Sequence, residues 1–233
     1  MIYSALRDLV RTKLGDPSLD PTELDLFMDG GRHELESRGN YYYNAGRKTH
    51  TLVSGEGNYS LTSTPSGPAS TGTSGLNLTS YKEHRSLFIQ DVSGTTWLPL
   101  EIGSWHSGLD MLPTTSAKPQ MAVVENETLW FLPTPNAAFP ILLLHWNWSA
   151  NPTAFNTTDE LLTRWYMALL YAACWVGKKY ITQDINAGKD FESLMLDQIE
   201  LMKEFTNRRM REPVNKISTS EAATILQAAG TPQ

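Results

Sequence analysis

The side chains best suited to chemistry in this sequence are five histidines and several carboxylates near its middle. Metal-binding histidines on a helix are often four residues apart, and the sequence has neither that spacing nor a His-x-His pair. His145 lies in an apolar run, where a hydrogen-bonded structural histidine is expected. The sequence therefore predicts no metal site and no cofactor. The five histidines are His33, His50, His84, His106 and His145.

Paired carboxylates could supply the acid and the base for glycoside hydrolysis. Glu101, Asp110, Glu125 and Glu127 are the candidates, and solvated turn or surface carboxylates are the expected alternative. The segment Ser-Trp-His-Ser-Gly at 104–108 lacks the Gly-x-Ser-x-Gly elbow of hydrolases, and no phosphate-binding Gly-x-x-x-x-Gly-Lys-Ser/Thr loop occurs. The sequence predicts a protein that is not an enzyme.

Aromatic side chains are concentrated in the predicted β region. Exposed tryptophans could stack on sugars, whereas buried ones would form a core. Trp146 and Trp148 share one strand face because side chains alternate along a strand, and this favours a core or a subunit interface. The tryptophans of this region are Trp97, Trp105, Trp130, Trp146 and Trp148.

Basic residues gather at two places. One group follows a tyrosine cluster, and the other marks the end of the last long predicted helix. Either group could contact a carboxylate-rich partner or touch DNA. Either could instead be an ordinary solvated face, and basic residues at a helix C-terminus are also favoured by the helix dipole. Both readings remain open. The groups are Arg47, Lys48 and His50, and Lys203, Arg208, Arg209, Arg211 and Lys216.

The overall composition is that of an ordinary globular protein. The 233 residues carry 19 basic and 25 acidic side chains, for a net charge of −6, unlike a strongly basic nucleic-acid reader. The single cysteine, Cys174, excludes an intramolecular disulfide. The N-terminus does not have the pattern of a signal peptide. The apolar run from Trp165 to Val176 is too short to span a bilayer, which needs about 20 residues, so no membrane association is expected.

Two helices are predicted at the N-terminus. The first runs from Ser4 to Leu14, and Gly15 suits its end. The second has a strong start signal, with Asp20 as cap, proline next and Glu23 three residues after the cap. Gly39 ends it.

Two long helices are predicted near the C-terminus. Thr157 or Thr158 caps a helix from Asp159 to about Tyr180 that is apolar around most of its surface, as in the middle of a bundle. A further helix covers Asp190 to Arg211. Its predicted apolar stripe is Phe191, Leu194, Met195, Leu201, Met202 and Phe205. The remaining segment, with a short possible helix at 222–229, is too small to fold alone.

Short strands and turns fill the region between the helices. They predict a small antiparallel sandwich or barrel-like sheet. The fold class is therefore α+β, a helical bundle with an inserted antiparallel β-domain. The bundle comprises residues 1–39 and 153–212, the insert comprises 40–152 with a flexible loop at 62–75, and 213–233 is a C-terminal extension. The strands are 87–92, 95–100, 121–124, 128–132 and 141–148.

One hairpin carries a family resemblance. Residues 121–136, Met-Ala-Val-Val-Glu-Asn-Glu-Thr-Leu-Trp-Phe-Leu-Pro-Thr-Pro-Asn, end in a proline-rich corner before the apolar strand Phe-Pro-Ile-Leu-Leu-Leu-His at 139–145. The segment resembles a hairpin of the head-to-tail adaptor proteins of tailed bacteriophages. The helix from Asp159 to Tyr180 is similar to the helix that usually follows in that family.

The resemblance implies a structural virion protein, assembled in the host cytoplasm. It implies a homo-oligomeric ring, usually dodecameric, between the portal protein and a tail tube or nozzle protein, with genomic DNA passing through it non-specifically. The C-terminal segment would engage the portal. The interface candidates are Lys203, Arg208, Arg209, Arg211, Lys216, Ile225, Leu226, Trp146 and Trp148.

Two rival functions remain at this point. One is a carbohydrate- or protein-binding β module on a helical stalk, which would use Trp146 or Trp148. The other is a hydrolase of cell-wall glycans, which would depend on Glu101 or Glu127.

Overall fold

The computed structural model describes residues 2–62, 75–90, 94–104, 116–149, 160–183, 186 and 188–211. The chain divides into two compact units, a helical unit of residues 1–43 and 150–233 and a sheet unit of residues 44–149. The predicted mixture of helices and sheet is confirmed. Most of the predicted loop 62–75, the cap residues Thr157 and Thr158, and the extension 213–233 lie outside the described residues.

Five α-helices occur in the described part of the helical unit: α1 (Tyr3–Leu14), α2 (Pro21–Ser37), α3 (Glu160–Thr163), α4 (Tyr166–Thr182) and α5 (Lys189–Arg211). The predicted start of α2 is confirmed by a complete capping box. The Glu23 backbone N–H donates to Asp20 Oδ1 at 2.8 Å, and the Asp20 N–H donates to Glu23 Oε2 at 3.0 Å. Gly15 ends α1 with a φ of 72°, as its position predicted.

Helix α4 packs against α1, α2 and α5, and its buried side chains form the core with Leu6, Phe27 and Met195. Helices α2 and α4 lie close together at Gly31. A Cβ on Gly31 would lie 2.6 Å from the Ala173 backbone nitrogen, closer than real Cβ contacts. A side chain at position 31 would therefore force the two helices apart.

The prediction of a single helix from Asp159 to Tyr180 is wrong at one point, because the helix is interrupted between α3 and α4. Trp165 has φ −110° and ψ 23°, and its N–H reaches back to the Glu160 carbonyl at 3.1 Å. Its indole packs edge-on against Phe205 of α5, with ring centroids 5.7 Å apart. We attribute the break to this tertiary contact, which a local pattern does not reveal.

The apolar stripe predicted for α5 is partly wrong. Met195 and Met202 are buried as expected, and so is Ile199, which the stripe omitted. Leu194 and Leu201 are instead 41% and 50% exposed. The two leucines are seven residues apart, which is about two turns, so they share a side of α5 next to its buried face.

The sheet unit contains seven strands in the described residues: β1 (Ala45–Thr51), β2 (Asn58–Ser60), β3 (Tyr81–Gln90), β4 (Trp97–Gly103), β5 (Met121–Glu125), β6 (Thr128–Leu132) and β7 (Pro140–Asn147). They form one sheet in the order β1-β7-β3-β4-β5-β6-β2. The predicted β3–β4 and β5–β6 hairpins are confirmed. Asn126 and Glu127 turn the second hairpin with positive φ of 47° and 57°.

The sheet departs from the prediction in one pairing. Strands β4 and β5 are parallel, with Ile102 opposite Ala122, although an antiparallel sheet was expected. Parallel neighbours need a long connection, and residues 104–120 provide it.

The sheet must also curl. Its edge strands β1 and β2 are joined through residues 52–57, a path of at most about 25 Å, whereas seven flat strands would span about 29 Å. Curling encloses the core of this unit, which includes Tyr59, Phe131, Ile141 and Leu143.

Candidate interaction surfaces

Trp146 lies near the end of β7 and Trp148 directly follows the strand, and Trp146 is on the face of the sheet opposite the core. Ile141 and Leu143 of β7 are fully buried in the core, so the alternating Leu144 and Trp146 point the other way. Trp146 is only 9% exposed. Its ring is covered in part by Arg85, whose Cζ lies 5.7 Å from the ring centroid, and Lys82 Nζ lies 4.9 Å from the Trp148 centroid.

Two β-bulges place these cations. The pairing of β3 with β7 shifts between Tyr81 and Glu83 and again between His84 and Ser86, so Lys82 and Arg85 lie outside the regular register. Glu83 lies opposite Trp146.

Strand β1 brings a third cation to the same face. Arg47 lies opposite Leu144, whereas Lys48 lies opposite the core residue Leu143. The structure therefore separates Arg47 from its sequence neighbours Lys48 and His50. We call the set Arg47, Lys82, Arg85, Trp146 and Trp148 the basic–indole face. Sequence reasoning missed Lys82 and Arg85, because only the bulges bring them to the tryptophans.

The basic group at the end of α5 is partly engaged within the helix. Lys203 Nζ lies 3.0 Å from Glu200 Oε1, and Arg208 forms an ion pair with Glu204. Exposed pairs of this kind contribute only a few tenths of a kcal/mol, roughly 0.3–0.5. Arg211 is the last residue of α5, while Lys216, Ile225 and Leu226 lie outside the described residues.

Phe205 joins this basic group to the rest of the helical unit. The guanidinium carbons of Arg164 and Arg209 lie 4.5 Å and 5.4 Å from its ring centroid. Tyr42 packs against the same ring at 5.2 Å. Arg164 was not predicted as part of the group, since it is 45 residues from Arg209 in sequence.

Two of the histidines that the structure describes, His145 and His50, are buried or half-buried in the sheet unit. His145 is 4% exposed, and burial lowers its pKa despite hydrogen bonds that favour the charged form. Burial also lowers the pKa of His50, whose ring lies 5.3 Å from that of Tyr59. His106 lies outside the described residues. Within the described part of the chain, no group of three or more His, Cys, Asp or Glu could hold a metal ion.

The described candidate carboxylates are at two places in the sheet unit. Glu101 is on β4, whereas Glu125 ends β5 and Glu127 is in the turn that follows, and all three are exposed. Asp110 lies outside the described residues. Cys174 is buried, which raises its pKa to about 12, so its thiol stays protonated at neutral pH.

A buried ion pair on α2 was not predicted from the sequence. Arg32 is 3% exposed and Glu36 is fully buried, with Arg32 Nη1 3.5 Å from Glu36 Oε2. Arg32 Nη2 also lies 2.7 Å from Asp29 Oδ1. The spacing of four residues gave a weak signal for the pair, but not for its burial.

Among known protein families, the model of the SU10 adaptor protein family matches residues 1–217. No curated protein matches the sequence. Among the described residues, no helix is long and apolar enough to cross a membrane.

Proposed function

The chain belongs to the SU10 adaptor protein family, and from this membership we propose that it is the structural virion protein that forms a ring between the portal and the tail. The ring serves as a conduit for genomic DNA and as a docking platform for the tail tube or nozzle protein. The match over residues 1–217 is the observation that carries the proposal. The earlier resemblance, based on the hairpin at 121–136, is confirmed at the level of this phage adaptor family.

The proposed architecture is a helical bundle of residues 1–39 and 153–212 with an inserted β-domain. In this proposal the extension 213–233 docks on the portal at the head-to-tail junction of the virion, after synthesis in the host cytoplasm. A ring of identical subunits needs two different complementary surfaces on each subunit. The proposed ring is dodecameric.

Helix α5 supports a surface for subunit contact. Leu194 and Leu201 are exposed on one side of it, next to the buried Met195 and Met202. A single exposed leucine is ordinary, but two in line on one helix resemble an interface strip. The basic residues Arg208, Arg209 and Arg211 continue α5 beyond this strip, and we assign them to the same interface.

The net charge supports the role of a conduit. A surface with few net positive charges holds DNA weakly, because non-specific binding depends on cation contacts to phosphates. A chain with a net charge of −6 meets that condition on average.

The carbohydrate-binding alternative gains no support from the tryptophans. Sugar stacking needs an open indole face, and Arg85 and Lys82 lie over the rings of Trp146 and Trp148. The hydrolase alternative likewise gains none, since Glu101 on β4 and Glu127 in the β5–β6 turn are both exposed, as solvated surface carboxylates are.

The test is assembly with the portal. The purified chain is mixed with portal rings, and the complex is examined by electron microscopy and native mass spectrometry, with twelve copies per portal expected. The double variant Leu194→Ser/Leu201→Ser should abolish the ring while its melting temperature stays within a few degrees. Leu26→Ser is the matched control, since Leu26 is 57% exposed on α2, and it should assemble normally. A chain that stays monomeric beside portal rings, or virions that lack it at the tail vertex, would refute the proposal.

A further inference from the structure

We propose that residues 222–229 of the C-terminal extension dock, within the same chain, on the exposed leucines of α5 until the portal takes up the extension. These leucines, Leu194 and Leu201, are called the leucine strip. The inference rests on the proposed function and deepens it, because it names what covers the strip before a neighbouring subunit does.

The leucine strip is an apolar surface without a cover among the described residues. Leu194 and Leu201 are 41% and 50% exposed. They are seven residues apart, which places them on one side of α5 with about 10 Å between them along the helix. Leu196 is also 41% exposed, but two residues turn a helix by about 200°, so it lies on a different side from Leu194. Aligned apolar side chains on an exposed surface indicate an interaction site.

The C-terminal extension carries an apolar surface of matching size. Its apolar residues follow the i, i+3, i+4, i+7 spacing of one helix face. They are Ala222, Ile225, Leu226 and Ala229, and Gly230 suits the end of such a helix. Eight residues are too few for a stable helix in water, so the segment needs a surface to fold on. A helix of this length is about 12 Å long, which covers the spacing of the two strip leucines.

The connection between α5 and this segment is long enough for the segment to reach the strip. Helix α5 ends at Arg211, and Pro213, two residues later, does not continue a helix. Residues 212–221 span about 33 Å when extended. Leu194 is the more distant leucine, and the end of α5 lies about 26 Å from it along the helix. The segment can therefore return along α5 to both leucines.

The tether favours the chain's own extension over a second copy as the first occupant. Two groups joined by a short linker meet at an effective concentration on the order of millimolar. A neighbouring subunit matches that concentration only where the portal gathers several copies. The extension therefore covers the leucine strip in the free chain, and its transfer to the portal exposes the strip to the next subunit.

The first test is hydrogen–deuterium exchange of the full chain, read by mass spectrometry on peptides that contain residues 222–229. In the native chain the amides of this segment should exchange at least about tenfold more slowly than in the variant Leu194→Ser/Leu201→Ser, because undocking removes their helix. The variant Ile225→Ser/Leu226→Ser should lose the same protection. Combining the two variants should add little to either loss, since both act on one contact.

The control Leu26→Ser/Leu196→Ser replaces two other exposed leucines, at 57% and 41% exposure, and should keep the protection. Dilution of the sample should leave the protection unchanged, because the docking is within one chain. Exchange as fast in the native chain as in the variants, or an equal loss in the control, would overturn the inference. So would protection that rises with protein concentration, since a second copy would then cover the strip.

The second test is native mass spectrometry of the chain without portal. The Ile225→Ser/Leu226→Ser chain should form more dimers or larger species than the native chain at the same concentration, because its leucine strip is uncovered. A variant as monomeric as the native chain would overturn the inhibitory role of the extension. Neither assay contains a portal, so their failure is distinct from a failure of ring assembly.

Discussion

Replacing Gly31 with alanine should push α2 away from α4. The added Cβ would lie 2.6 Å from the Ala173 nitrogen and 2.9 Å from the Ala172 carbonyl carbon, and backbone atoms cannot rotate away. Overpacking of a core costs about 1–3 kcal/mol, and here the upper end applies. The higher helix propensity of alanine offsets about 1 kcal/mol of this loss of stability. The net loss should be about 2 kcal/mol, or a fall of about 4–8 °C in melting temperature.

The neighbouring Gly30 provides the matched control. A Cβ there would meet Val176 Cγ1 at 3.1 Å, which is the end of a side chain that can shift. Gly30→Ala should therefore be neutral or up to about 1 kcal/mol stabilising. Thermal melts of both variants by circular dichroism, at one concentration, make the comparison. A Gly31→Ala protein as stable as the native chain, or equal losses in the two variants, would refute the close approach of α2 and α4.

Three further predictions concern single contacts. Asp20→Ala removes the α2 cap and should lower stability by about 1 kcal/mol, read from urea unfolding; an unchanged midpoint would contradict the capping box. Arg32→Leu leaves the buried Glu36 carboxylate without this cation and should lower the free energy of unfolding by about 3–5 kcal/mol. The double variant Arg32→Leu/Glu36→Leu should recover most of that stability in urea unfolding. Two equally unstable variants would count against the ion pair. Burial lowers the pKa of His145 in the folded chain, so below about pH 6.5 the unfolded chain binds more protons and stability falls as the pH falls. His145→Asn should reduce that fall in urea titrations between pH 7.5 and 5.5, and an identical pH profile would rule out this role.

The sequence predicted the elements whose signals are local. Asp20 and Glu23 determine the start of α2 within four residues, and Gly15 ends α1 through its own backbone freedom. The β5–β6 hairpin was likewise predictable, because Asn126 accepts the positive φ that its turn requires.

Features that depend on distant contacts were not predictable in the same way. The break at Trp165 follows from its packing on Phe205, which is 40 residues away. The parallel pairing of β4 with β5 joins strands that are not in contact through a hairpin, and neither strand's own residues indicate it. The same holds for the basic–indole face, since two bulges in β3 decide where Lys82 and Arg85 lie.

The helical unit is assembled from the two ends of the chain, and this has a consequence during translation. Helices α1 and α2 leave the ribosome early, but α4, against which they pack, begins only at Tyr166. At a synthesis rate of about 5–20 residues per second, the apolar faces of α1 and α2 stay exposed for several seconds before α4 is made. All seven strands have emerged before then, so the nascent sheet unit can fold first. A ribosome-bound chain stalled at the point where residue 149 has just cleared the exit tunnel should already protect its strands from proteolysis while α1 and α2 remain open to cleavage.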